Sequence, residues 1–170
     1  MHYRSLTKED LYKYGDDILK CYQDNRLILD SQNPLFIDST QAACSFINGY
    51  IEGKDSMVLG IFDEAEFFLY GLVIFDNMRT VDKMVAEVHI AISKEIWGRK
   101  VKNLFDEMLE NSLFDILYCT IPQIAVNAIA MVRRMKFKKT GYIPCALPYI
   151  NSKGEERLYD LNIFCYRREK

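Results

Sequence analysis

The chain is predicted to fold as one mixed α/β (α+β) domain, and three features point there. The spacing of apolar residues changes from a helical period to strand-like runs near Ser56 and mixes the two afterwards. The stretch Val85–Leu109 joins a buried strand to an amphipathic helix through a single glycine turn. At 170 residues, with no internal repeat, low-complexity tract or linker, residues 1–170 suit one domain with a substantial core.

Tyr3–Leu6 reads as a short strand. Thr7 then caps an acidic first turn, with Asp10 in place of the usual Glu or Gln of a capping box. Leu11, Tyr14, Ile18, Cys21 and Tyr22 give that helix one buried face, although Gly15 weakens it. Asn25–Asp38 is expected to be a connecting loop. A second helix, capped at Asp38–Thr40, carries Ala43, Phe46, Ile47 and Tyr50 on one side and ends near Gly53.

The runs Met57–Phe62 and Phe67–Phe75, separated by Asp63–Glu66, read as a hairpin, and Asp76–Met84 as the next turn. The fourth strand holds Val85, Val88, Ile90 and Ile92, and the helix after it buries Val101, Leu104, Phe105, Met108 and Leu109. Asp115–Ile121 reads as a buried strand stopped by Pro122. The following helix, Ile124–Met135, has Ala125, Ala128, Ile129 and Val132 inward. Two last strands, Tyr142–Ile150 and Arg157–Tyr166, flank the turn Asn151–Gly154. The expected order is β-α-α-β-β-β-α-β-α-β-β, with a right-handed crossover between parallel strands.

Composition narrows the function classes. A formal net charge of −2 with mixed signs argues against nucleic acid or a membrane surface as the main partner. No apolar run is long enough to span a bilayer, and Met1–Arg4 leads into a strand without a signal peptide's apolar stretch, so a cytoplasmic protein is expected. The five cysteines have no CxxC spacing, which leaves neither a zinc site nor a disulfide framework indicated; no metal is expected. Eleven Tyr and ten Phe fill core and strand faces, with some left to supply an interface with a protein partner or a second copy.

The stretch Ser93–Lys100 places Gly98 where the central helix begins. Free N–H groups at a helix N-terminus favour an anion, and Arg99 and Lys100 would add charge. The alternative is a plain tight turn with two solvated bases. On the preceding strand, Glu87 and His89 share one face, and either is a candidate to accept a proton; the alternative is a solvent-facing or structural pair.

This element order, with its glycine turn after the fourth strand, resembles the GNAT superfamily of acetyl-coenzyme A dependent N-acetyltransferases. In that family the turn carries Gln or Arg, two variable residues, Gly, one variable residue, then Gly or Ala; here Glu95, Gly98 and Lys100 stand at the three positions. A second family signal is a helix begun by Asn and ended by Gly-Phe. This chain has Ala125 at the first position with Asn127 two residues on, and Lys136-Phe137 at the end. Val132 stands where that family often has a Tyr that protonates the departing thiolate.

The resemblance implies a mostly antiparallel sheet flanked by helices, with strands four and five a parallel, splayed pair. It implies that Ile90, Ala91 and Ile92 line the pantetheine arm of acetyl-CoA, and that Trp97, Gly98, Arg99, Lys100 and Val101 face the phosphates, with Asn127 nearby. The implied reaction moves an acetyl group to a primary amine, with Glu87 or His89 as the proton acceptor. Departures at Glu95, Lys100, Val132 and Lys136 motivate a second reading: an inactive GNAT-fold structural or binding component, such as a phage-encoded virion or assembly protein.

Overall fold

The chain opens with strand β1 (His2–Ser5) and helices α1 (Lys8–Lys13), α2 (Gly15–Asp24) and α3 (Thr40–Glu52). Strands β2 (Met57–Phe62), β3 (Leu69–Thr80) and β4 (Met84–Ile92) follow, then a short 3-10 turn and helix α4 (Arg99–Asn111). Strand β5 (Ile116–Pro122), helix α5 (Val126–Arg134) and strands β6 (Lys138–Ile150) and β7 (Glu156–Arg167) complete it. This computed structural model describes residues 1–26, 37–80, 82–96, 99–150 and 156–168.

All strands join one sheet in the order β1-β2-β3-β4-β5-β7-β6. Every neighbouring pair is antiparallel except β4 and β5. The expected mixed α/β architecture and the parallel central pair are therefore present. Each sheet face buries its own core. On one face α1–α3 pack Ile18, Tyr22, Ala43 and Ile47 over Val58, Leu72, Ile74 and Ala91. On the other, α4 and α5 pack Phe105, Met108, Ala128 and Val132 over Val73, Phe75, Val88, Leu117 and Ile121. The five apolar positions read for the central helix are all buried there, because i, i+3, i+4 spacing fixes a face whatever the surroundings.

Four element readings change, the simplest being that β6 begins at Lys138, four residues before the expected Tyr142, because Lys138 and Lys139 pair with Cys165 and Phe164 of β7. The first helix is two. Tyr14 leaves the helical region at φ −116°, ψ 21°, and α2 restarts at Gly15, where a Cβ would lie 2.6 Å from Thr40 Cγ2. Close approach of α3 therefore requires the glycine. The capping box is complete even with Asp: Thr7 Oγ1 accepts from the Asp10 N–H, and Asp10 Oδ2 accepts from the Thr7 N–H at 2.8 Å. In the hairpin, Phe67 and Phe68 belong to the loop and stand exposed, since Glu66 takes a left-handed φ of 54° and β3 begins only at Leu69. The polar stretch read as a turn after Phe75 is largely strand. It pairs Asp76, Arg79 and Thr80 with Glu87, Val85 and Met84 around a bulge whose Asn77 has φ 51°.

Helix α5 ends in a Schellman motif. The Phe137 N–H donates to the Val132 carbonyl at 3.0 Å and the Lys136 N–H to that of Arg133 at 3.1 Å. Lys136, at the resembled family's glycine position, adopts the left-handed φ of 66° that glycine would take freely. The residue departs from the pattern while the backbone keeps it. The loop expected across Asn25–Asp38 falls mostly outside the described residues, as does the turn Asn151–Gly154.

Candidate active site

β4 and β5 pair over only three positions, Val85–Ile116, Ala86–Leu117 and Glu87–Tyr118. Beyond Glu87, β4 continues along β3 as far as Ile92, while β5 continues along β7 as far as Pro122. The two strands thus open a cleft. Its walls are Val88, His89, Ile90 and Ile92 from β4, Cys119, Thr120 and Ile121 from β5, and Ala128, Met131 and Val132 from α5, with Asn25 from the end of α2. The side chains leave a cavity of about 30 Å³, the share of one water molecule.

Backbone alternation decides what the cleft offers. The Ser93 N–H donates to the Tyr70 carbonyl at 2.8 Å on the β3 side, and the Met84 carbonyl accepts from Asp115 at 2.9 Å on the β5 side. Even-numbered residues of β4 therefore aim their N–H and C=O at β5, and odd-numbered ones at β3. Ile90 aims both groups into the opening, where no strand among the described residues pairs with it. Ala91 turns its backbone to Leu72 and its methyl to Ile18 and Tyr22. The Ile92 carbonyl accepts from Asn25 Nδ2 at 2.8 Å, and the same amide donates to the Cys21 carbonyl at 2.8 Å.

His89 is 9% exposed, and its Nδ1 has no hydrogen-bond partner among the described residues. Burial lowers its pKa, opposed by the charges of Glu87 and Asp76, so the ring is neutral near neutrality. Glu87, on the same face, is half-buried. It accepts from Asn77 Nδ2 at 3.2 Å, and Tyr118 stands opposite it on β5.

On β5 the Cys119 thiol is pushed up to about 12 by burial, with smaller contributions from Cys165 and Glu87, and so stays protonated. Val132 is buried in the cleft wall and brings no proton. Asn127 lies exposed on the first turn of α5, one turn before the lining residue Met131.

At the start of α4, Trp97 and Gly98 lie outside the described residues, as do the side chains of Arg99 and Lys100. Val101 buries its side chain in the core at 3% exposure, so only its backbone faces the helix start. Glu95 is turned away into an ion pair with Lys20 on α2. The neighbouring Lys94 N–H donates to Asp24 Oδ2 at 3.0 Å. Helix α2 therefore holds the end of β4 and the segment after it at three points: Ile92, Lys94 and Glu95.

No protein-family model and no curated protein matches the chain by sequence. Its shape does have matches. A ribosomal L7/L12 α-N-protein acetyltransferase in complex with coenzyme A superposes with a TM-score of 0.74 at 16% identity, over 97% of this chain and 92% of that one. A spermidine N-acetyltransferase from Vibrio cholerae, in complex with CoA and spermine, gives 0.71 at 17%, over 97% and 94%. A ribosomal-protein-alanine N-acetyltransferase from Brucella melitensis gives 0.66 at 18%, over 99% and 100%.

The fold is that of the GNAT N-acetyltransferases. In a GNAT fold read from sequence, Glu87, His89, Ile90 and Ile92 are visible as candidates because they lie on one strand. Asn25, Cys119, Thr120 and Met131 are not. They reach the cleft from three other elements, and no local pattern announces such an approach. Asn25 carries only the weak signal of a polar residue closing an amphipathic run.

Proposed function

We propose that this protein is a GNAT-type N-acetyltransferase that moves the acetyl group of acetyl-CoA to a primary amine. One observation carries the reading: the splay beyond Glu87 leaves the backbone of Ile90 facing an open cleft beside a buried, neutral His89 with no partner for Nδ1. An unpaired strand edge inside a core is costly unless something hydrogen-bonds to it. An extended amide-bearing arm is the kind of ligand that does.

In this reading the Ile90 N–H donates to the thioester carbonyl and favours charge building on its oxygen. Acetyl-CoA supplies the acyl thioester; the amine nitrogen bonds to its carbonyl carbon, the carbon–sulfur bond breaks, and the products are an N-acetylamine and a free thiol. His89 or Glu87 takes the proton the amine loses. Val132 has no proton for the sulfur that leaves, and Cys119, held at about 12 by burial, is too weak an acid to supply one, so the sulfur takes the amine's own proton or one from solvent. Met131, flexible and half-buried, yields to admit the arm. The turn Trp97–Gly98, the cations Arg99 and Lys100, and the Val101 amide receive the phosphates, with Asn127 at the mouth. The pairing of Glu95 with Lys20 supports this, because it removes the one acidic side chain from that turn.

The experiment is titration calorimetry of the full chain with acetyl-CoA, followed by thiol release with a panel of primary amines. Saturable binding together with amine-dependent release is expected; no heat at millimolar ligand overturns the reading. The alternative of a virion or assembly component has no observation in its favour. Lys136, one of the departures that suggested it, preserves the glycine-like backbone.

A further inference from the structure

The net charge of −2 hides a strong segregation of charge along the chain. From Ile116 to Gly154 there is no Asp or Glu, and inside that stretch Arg133, Arg134, Lys136, Lys138 and Lys139 put five cations into seven residues. We propose that these five side chains, together with Tyr142, form a docking surface for single-stranded nucleic acid. The surface is separate from the cleft, and the proposal stands whether or not the acetyltransferase reading does.

The cations alternate with anchors. Val132, Met135 and Phe137 are buried in the core, while all five basic side chains between and after them are exposed. The Schellman bonds from Lys136 and Phe137 fix the backbone that carries them. None of the five has an ion pair or a side-chain hydrogen bond among the described residues. Bases at the end of a helix complement its dipole, and lysines on an edge strand deter aggregation. Neither role calls for five cations, or for the absence of every acid from the stretch around them.

The second observation is Tyr142, which names the polyanion. Its ring is 58% exposed on the same strand, and Lys139 Nζ lies 5.5 Å from the ring centroid. β6 is the last strand of the sheet, so Lys138 and Lys139, pointing to opposite faces, wrap the charge around an edge. Phosphates can follow such a curved row of cations while an unpaired base stacks on the free ring. A duplex has no free base face for it, and an acidic protein segment would use the charge alone.

Sheet register keeps this surface away from the proposed phosphate turn. Lys138 pairs with Cys165, Cys165 with Tyr118 and Tyr118 with Glu87, so β6 begins level with Glu87 of β4. Five residues of strand, about 17 Å, separate that level from the end of β4 at Ile92, beyond which the turn follows. Helix α5 starts at the turn's end of the sheet, after Pro122, and runs back to deliver Arg133 and Arg134 to the other end.

The test is fluorescence anisotropy of a labelled oligouridylate of about 12 nucleotides with the full chain, at several salt concentrations. Five phosphate contacts on a single strand give a slope of log K against log salt of roughly −3.5, so each doubling of salt should weaken binding about tenfold. Replacing both arginines, Arg133→Gln with Arg134→Gln, should bring the slope to roughly −2. Tyr142→Ala should weaken binding about fivefold or more at an unchanged slope. These side chains are exposed, and thermal unfolding checks that the variants fold. No binding at low salt, a slope unmoved by the arginine pair, or Tyr142→Ala binding as tightly as the wild type would each overturn the proposal. So would poly-glutamate of equal charge competing as well as unlabelled oligouridylate. Displacement by acetyl-CoA would overturn it too, since the strand would then lie on the phosphate turn.

Discussion

Asn25 donates one side-chain amide to two carbonyls, Cys21 in its own helix and Ile92 on β4, each at 2.8 Å. The second bond stands where a neighbouring strand would have bonded had the sheet not splayed. It closes β4 at Ile92 and leaves Ile90 as the open position. Asn25→Ala should therefore cost about 1–3 kcal/mol in chemical denaturation, because the Ile92 carbonyl loses its buried partner. Asn25→Asp should cost more, since a carboxylate would face two carbonyl oxygens with no N–H to offer. Equal midpoints for wild type and both variants would show the bond to be idle.

His89 gives a pH signature. Burial lowers its folded pKa, so the neutral ring persists to more acidic pH than in a free histidine. If His89 accepts the proton, the acidic limb of kcat/KM, which reports the free enzyme, should fall below the ordinary histidine value of about 6.5, and His89→Gln should reduce kcat by about 10²–10⁴-fold and abolish that limb. An unchanged limb in the variant would hand the role to Glu87.

Arg4 binds Asp10 through both terminal nitrogens, at 2.7 and 2.8 Å, and Glu66 at 2.9 and 3.0 Å. Its guanidinium holds both carboxyls near 2, with hydrogen bonds as the main cause. Depressed folded pKa values give stability that is full above the unfolded values of about 4 and lost as pH falls toward 2. Arg4→Leu should flatten the acid limb of a stability–pH curve between those limits and lower stability at neutral pH. A curve parallel to the wild type's would show that the network contributes nothing.

Lys136 holds a left-handed φ of 66° at the end of α5. Lys136→Gly relieves that strain but enlarges the unfolded ensemble, and the first term is larger. The expected gain is about 0.5–1 kcal/mol, read as a raised unfolding midpoint. A lowered midpoint would mean that the lysine side chain compensates elsewhere.

Gly15 offers the opposite sign. Alanine is the better helix former by about 1 kcal/mol, yet its Cβ would sit 2.6 Å from Thr40 Cγ2 and 3.2 Å from Cys44 Sγ. Thr40 cannot rotate away freely, because its hydroxyl donates to Asp16 Oδ1 at 2.7 Å. Gly15→Ala should therefore lower stability by about 1–3 kcal/mol. A stabilised variant would show that α2 and α3 can part without cost.

The sequence by itself determined the elements whose signal is periodic: the buried face of α4, the capped helix α3, the hairpin strands, and the placement of Glu87 with His89 on one face of β4. Such patterns survive because side-chain direction follows from backbone repeat alone. It did not determine where a helix would break, how far β3 would run through polar residues, or that Phe67 and Phe68 would stand outside it. Those depend on the approach of α3 to Gly15 and on the partner β4 supplies to Arg79 and Thr80, which are distant in the chain. The cleft belongs wholly to tertiary structure. It exists because β4 stays with β3 while β5 leaves with β7, and because Asn25 arrives from α2 to satisfy Ile92. Hydrogen-bond partners so far apart in the chain leave no periodic trace in it.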